Sequence, residues 1–162
     1  MRYQIKQRLL AVRPTFDIAN ESGEPILVGE GKLFVLAAEV VIRSLSGEEF
    51  VRVKQQLFSW RPRFEITQQG RPLATVARRW TLRPRYTIGL AGGGELLVAG
   101  SLFEHEFRFL AGEEPVALVS RAMWSLRDTY GVDVFRPEYD AVVLAVVIAI
   151  DSVRTQRERS AG

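Results

Sequence analysis

The chain has 162 residues, 47% of them hydrophobic and 25% charged, proportions that suit one globular domain rather than a disordered chain. It has no cysteine and one histidine, His105, which excludes disulfide frameworks, thiolate metal sites, cysteine nucleophiles and any centre needing two imidazoles. The formal net charge of +3 is unevenly placed: residues 50–90 carry nine basic groups against Glu65 alone, and residues 91–135 carry three against seven acidic ones.

From the first residues, polar and apolar side chains alternate. Tyr3, Ile5 and Leu9 interleave with Arg2, Gln4, Lys6 and Arg8, and no long apolar run follows, so no secretory leader is read and the expected location is the cytoplasm. Phe64 and Ile66 interleave with Arg63, Glu65 and Thr67 in the same way. Further on, Val116, Leu118, Ala122 and Trp124 are expected on one face of a strand, with Arg121 and Arg127 on the other. Turn residues recur at Ser22-Gly23-Glu24-Pro25, Ser46-Gly47, Gln69-Gly70-Arg71-Pro72, Gly92-Gly93-Gly94 and Ala111-Gly112. This punctuation predicts eleven or twelve short strands in an antiparallel meander, a mainly β chain folded as a sandwich or barrel.

A short motif repeats along the chain. Arg13-Pro14-Thr15-Phe16-Asp17-Ile18 is matched by Arg61-Pro62-Arg63-Phe64-Glu65-Ile66 and by Arg83-Pro84-Arg85-Tyr86-Thr87-Ile88, with an echo at Arg136-Pro137-Glu138-Tyr139. Proline is tolerated at the start of a strand, where no ladder donor is needed. A glycine then a proline follow after Ile18 and Ile66, and Gly112-Glu113-Glu114-Pro115 plays a similar part. The spacing between copies is uneven, which rules out a solenoid or propeller and indicates one hairpin design reused in one sheet.

Residues 141–150 break the alternation. They are apolar without exception, bounded by Asp140 and Asp151. Their Val and Ile content favours a strand, whereas Pro137, Glu138 and Asp140 before them and Arg154 and Arg157 after them suit the two ends of a helix. The helix is preferred, over about 138–155, with a flexible polar tail over 156–162. Ten apolar residues rise only about 15 Å as a helix, about half the hydrocarbon thickness, so no transmembrane span is expected. A short helix apolar on every side belongs in a protein core.

The opening Tyr3–Leu9, Phe16-Asp17-Ile18 with Gly23-Glu24-Pro25, Gly31-Lys32-Leu33-Phe34, and Gln56–Ile66, followed by a closing apolar helix, resemble the LURP-one-related proteins of the tubby C-terminal-like superfamily. The likeness spans about residues 1–155 and implies one domain: a closed antiparallel barrel of about twelve strands around a buried C-terminal hydrophobic helix. It also implies a setting in which tubby proteins bind phosphoinositides through basic residues, although none of those positions is carried over here. Phospholipid scramblases share the superfamily. This sequence departs from them in having no cysteine to palmitoylate, no proline-rich N-terminal region and too short an apolar helix.

Catalytic patterns are not found. Glu104-His105-Glu106 reads as strand, with the imidazole on the face away from the carboxylates and a structural role. No Gly-x-Ser-x-Gly elbow is present, and Gly29-Glu-Gly-Lys32 and Gly92-Gly-Gly94 are turns rather than phosphate loops. No enzyme activity, cofactor or metal site is expected. Arg61, Arg63, Arg71, Arg78, Arg79, Arg83 and Arg85 stand out, opposed within that stretch by Glu65 alone. If the segments pair as hairpins the set comes together, and guanidinium groups grip phosphate with paired hydrogen bonds. Alternation places Arg78 on the face of Ala74 and Val76, so either a bulge turns it out or it is half-buried and paired.

The expectation is a non-enzymatic cytoplasmic module, peripheral at the membrane, that takes an anionic phospholipid, phosphoinositide-like headgroup or other phosphorylated ligand on these arginines. The alternative is a protein-interaction scaffold without a ligand site, and scramblase-like lipid handling ranks behind both. No aromatic-rich pattern accompanies the arginines, so no specific nucleic-acid partner is expected.

Overall fold

The alternating segments at 2–7, 63–67 and 116–120 are strands, while Leu9, Ala122, Trp124 and Arg127 of the expected alternation lie outside the described residues. The computed structural model describes residues 1–8, 10–32, 38–56, 63–79, 85–102, 104–121 and 129–162. Its strands are β1 (Arg2–Gln7), β2 (Thr15–Ala19), β3 (Pro25–Lys32), β4 (Glu39–Ser44), β5 (Glu49–Gln55) and β6 (Arg63–Gln68). They continue as β7 (Arg71–Arg79), β8 (Arg85–Leu90), β9 (Glu95–Ser101), β10 (Glu106–Ala111), β11 (Glu114–Ser120) and β12 (Thr129–Val134). Each strand pairs antiparallel with the next, and β1 pairs with β12, so the sheet closes into a twelve-stranded barrel. Closure leaves no unpaired edge to template aggregation.

Proline shapes the hairpins. The register shifts between Ile18 and Ala19, between Ile66 and Thr67, and between Phe109 and Leu110, where the partner strands present Pro25, Pro72 and Pro115. A proline offers no N–H to the ladder, and the proline-bearing strand bulges beside it, with Ile26, Leu73 and Val116 as the extra residues. The fourth Arg-Pro echo does something different: Pro137 opens a 3-10 turn, Pro137–Tyr139, that leads into α1 (Asp140–Ala161). Its fixed φ suits the first residues of a helix.

The inward side chains of the barrel and those of α1 form one core. Ile5, Phe16, Ile42, Val51, Ile88 and Phe109 pack in it with Val142 through Ile148, all buried. The uniform apolarity of residues 141–150 thus has its cause: a helix inside a barrel meets side chains in every direction. Gly29 lets the helix close on β3, since a Cβ there would sit 3.3 Å from Ile148 Cγ2. The helix runs on to Ala161, past the expected end at 155, so the backbone expected as a flexible tail is helical up to Gly162, its C-cap. No glycine or proline interrupts the chain between Asp140 and Ala161, and arginines near a helix C-terminus favour continuation.

β11 differs from expectation. Ala117 and Val119, paired with Phe109 and Phe107, face the core, while Leu118 is 37% exposed on the outside. Val116 through Val119 are four consecutive apolar residues, so period two alone leaves the inward set open and the neighbouring phenylalanines decide it.

The two ends of the barrel differ. Connections of two to five residues, 20–24, 45–48, 69–70, 91–94 and 112–113, lie at one end, where α1 also begins. The opposite end has connections of four to eight residues, 8–14, 33–38, 56–62, 80–84, 102–105 and 121–128. These are called below the short-turn end and the long-loop end. Among the described residues no helix is long and apolar enough to cross a membrane.

Candidate functional site

Four of the seven arginines come together at the long-loop end. Arg63 opens β6, Arg78 and Arg79 close β7, and Arg85 opens β8. Across the ladders Arg63 faces Ala77, Arg78 faces Tyr86 and Arg79 faces Arg85. Arg63 is thus a diagonal neighbour of Arg79, and Arg79 and Arg85 are direct cross-strand partners. Like charges set opposite each other destabilise a bare sheet surface, and an anion shared between them reverses that sign.

Arg71 is not part of this group. It pairs with Gln68 at the short-turn end, about 26 Å along β7 from Arg79. Arg61 and Arg83 lie outside the described residues. Arg78 keeps the inward face with Ala74 and Val76, because the β7–β8 register runs unbroken from Ala74 to Arg79. No bulge turns it out, and the shift in the β6–β7 ladder lies at the far end, between Ile66 and Thr67. Arg78 is half-buried at the barrel mouth, without the ion-pair partner expected for it among the described residues.

Four arginines elsewhere on the barrel are held by carboxylates. Arg2 bonds Asp133 and Glu21, Arg8 bonds Asp17 at 2.7 Å, and Arg136 bonds Glu138 at 2.7 Å. On β3–β5 a closed network joins Lys32 to Glu39 at 3.1 Å, Arg52 to Glu39, and Arg52 to Glu49 at 2.6 Å. Burial works against ionisation of Glu39, but its bonds to Lys32 and Arg52 outweigh burial and hold its carboxyl below the usual range. Arg63, Arg71, Arg78 and Arg85 have no carboxylate partner among the described residues. The nearest carboxylate in sequence, Glu65, accepts a hydrogen bond from Gln56 instead.

The comparisons with known proteins fit this architecture. Residues 1–151 match the LURP-one-related family. The chain belongs to that family. A relative is the uncharacterised protein YxjI of Bacillus subtilis (strain 168), 27% identical over 150 residues, 92% of this chain and 91% of YxjI. Among solved structures, a protein from Arabidopsis thaliana superposes with a TM-score of 0.67 at 19% identity, covering 94% of this chain and 91% of its own. That likeness is one of fold.

This LURP-one-related barrel holds a second polar group that sequence reading left unconnected. His105 does not lie in a strand. It sits in the turn before β10 with a left-handed φ of 53°, and its ring is buried. Its Nε2 lies 2.7 Å from Oδ1 of Asp151 on α1, with the two side chains 2% and 3% exposed. Tyr130 of β12 stacks on the imidazole with ring centroids 4.4 Å apart. Burial, then the adjacent Asp151, pushes the Tyr130 hydroxyl well above its ordinary range, against the opposing pull of Arg154 and Arg121. Asp151 reads in sequence only as a boundary of the apolar run. Only the third dimension shows that the chain's one histidine meets it.

Proposed function

We propose that this chain is a non-catalytic module that binds a phosphate-bearing anionic ligand, a phospholipid headgroup in the first instance, on the arginines of β6, β7 and β8. The observation that carries this reading is the absence of carboxylate partners for Arg63, Arg78 and Arg85 among the described residues, clustered at one end of a barrel on which Arg2, Arg8, Arg52 and Arg136 are paired. The register that sets Arg79 opposite Arg85 on neighbouring strands supports it, since it concentrates positive charge at one place on the rim. On this reading the protein acts in the cytoplasm and is peripheral at the membrane.

The test is co-sedimentation with phosphatidylcholine vesicles, with and without phosphatidylserine, at low and high salt. Wild type is expected on the anionic vesicles only, and to be released as salt rises. Arg63→Ala/Arg85→Ala is expected to weaken binding strongly, and Arg71→Ala, at the other end of β7, to leave most of it. Binding to neither vesicle would remove the proposal and turn the search to protein partners of a scaffold.

A further inference from the structure

The barrel is electrically polar from end to end. Among the described residues, the connections at the short-turn end, with residues 135–139, carry Glu21, Glu24, Glu48, Glu113 and Glu138 against Arg136 alone. The described residues of the connections at the long-loop end carry Arg8, Arg13 and Arg121 against Glu104, with Arg8 paired to Asp17. Arg63, Arg79 and Arg85 end their strands at this same rim. The described part of the β1–β2 connection adds apolar surface there: Leu10 is fully exposed and Val12 is 81% exposed. Two large aliphatic side chains in one seven-residue connection, beside Arg13, are held in water at a cost that contact with an apolar phase would remove.

The placement of these features around the rim decides what fits them. In the closed strand order β2 and β7 are five steps apart and β1 and β7 six, so Leu10 and Val12 lie across the barrel from the β6–β8 arginines. At the spacing of neighbouring strands that separation is on the order of 20 Å. A single small phosphorylated molecule on the arginines does not reach the other side of the rim. An extended flat surface, negative at its face and apolar just beneath, meets both together.

We propose that the long-loop end docks end-on against an anionic bilayer, with Leu10 and Val12 entering the interface while the β6–β8 arginines take headgroups. This rests on the headgroup-binding reading above and extends it by fixing the pole of the barrel that faces the membrane. The acidic short-turn end then points away from the negative surface, so the orientation is favoured by the whole charge distribution as well as by local contacts. The apolar pair adds a component that salt does not screen.

The experiment compares wild type, Leu10→Ser/Val12→Ser and Arg63→Ala/Arg85→Ala on two probes. One is a phosphatidylcholine vesicle containing phosphatidylserine, and the other is inositol hexakisphosphate free in solution. All four positions are exposed, so thermal melts of the variants are expected to match wild type. The aliphatic variant is expected to bind vesicles about tenfold more weakly and to keep wild-type affinity for the soluble polyphosphate. The arginine variant is expected to lose on both probes, by about fivefold per residue on vesicles. An aliphatic variant that binds vesicles as wild type does would overturn end-on docking and leave the headgroup reading in place. An arginine variant unchanged on both probes, or a wild type that binds no vesicle, would overturn both together.

Discussion

Replacing Asp151 by leucine tests whether the buried pair with His105 fixes the helix in the barrel. The apolar stretch of α1 is smooth, with Val142 through Ile148 buried on every side, and such a plug has little to define its depth or rotation. The Nε2–Oδ1 contact of 2.7 Å supplies a fixed point between α1 and the turn before β10. Loss of the carboxylate removes a buried hydrogen bond to an ionisable group, worth about 1.5–3 kcal/mol, and leaves the imidazole nitrogen unsatisfied at about 1–3 kcal/mol more. His105 Nδ1 has no partner among the described residues, which leaves the ring no second bond there to fall back on. A net loss of about 3–5 kcal/mol follows, the range seen when one member of a buried pair is removed. For a chain of this length each kcal/mol shifts Tm by about 2–4 °C, so about 6–20 °C is expected in a thermal melt, with a matching drop in the urea midpoint. The double variant His105→Phe/Asp151→Leu, apolar on both sides and still able to stack on Tyr130, is expected to recover most of the loss. Asp151→Leu within 1 kcal/mol of wild type by the same melts, or a double variant no better than the single one, would refute the reasoning.

Three other predictions follow from the core and the surface network. Gly100 has φ of 124°, and a Cβ there would lie 2.5 Å from the Glu106 carbonyl oxygen and 2.8 Å from Phe107 Cα, both backbone atoms. Gly100→Ala is therefore expected to shift the β9–β10 pairing and cost more than about 2 kcal/mol by chemical denaturation. Leu144→Ala leaves a cavity between the helix and the barrel wall and is expected to cost about 2–5 kcal/mol in the same assay, with no change in vesicle binding. Glu39 has a folded-state pKa below its unfolded value, so its contribution is present above the unfolded value of about 4.3 and is lost as pH falls through the folded one. Glu39→Gln is expected to flatten the acid limb of a stability-against-pH curve and to leave its slope near neutrality unchanged.

Much of the barrel was legible because its strands alternate cleanly and its turns are marked by glycine. Ile5 and Ile66, each between polar neighbours, both face the core. The reading failed where that signal is flat, as at Leu118, where four apolar residues in a row admit either face. It also failed where spacing in sequence was taken for spacing in the fold: Arg71 follows Arg63 closely, yet the hairpin carries it to the other end of the barrel. The His105–Asp151 contact joins residues 46 positions apart, a pairing that one sequence without a set of relatives gives no means of reading. Arg78 was half legible. Alternation placed it inward, but only the unbroken ladder with Tyr86 decides between the bulge and the half-buried side chain.

A simpler cause for the barrel's polarity is the dipole of α1. Its positive N-terminal end lies at the acidic short-turn end, beside Glu138 and Asp140, and its negative end lies toward the basic rim. The dipole acts within the first and last turns, and exposed charges farther apart than about 8 Å are screened at physiological ionic strength. It accounts for Glu138 and Asp140. It does not account for Arg63 and Arg85, which stand exposed on the outer side of the strands while α1 packs against the inner side. Nor are they the solvated face that β5 shows, where Lys54 has Glu39 and Glu65 as its cross-strand partners. Arg85→Glu separates a structural arginine from a binding one. Set against Arg79, a glutamate relieves repulsion, so the variant is expected to melt about 1–2 °C higher than wild type at low salt and to lose that gain at high salt. The same variant is expected to lose anionic vesicles altogether, a gain in stability opposite in sign to the change in binding. A lower melting temperature for Arg85→Glu at low salt would show that the arginine serves the fold, and the rim would then need no ligand to explain it.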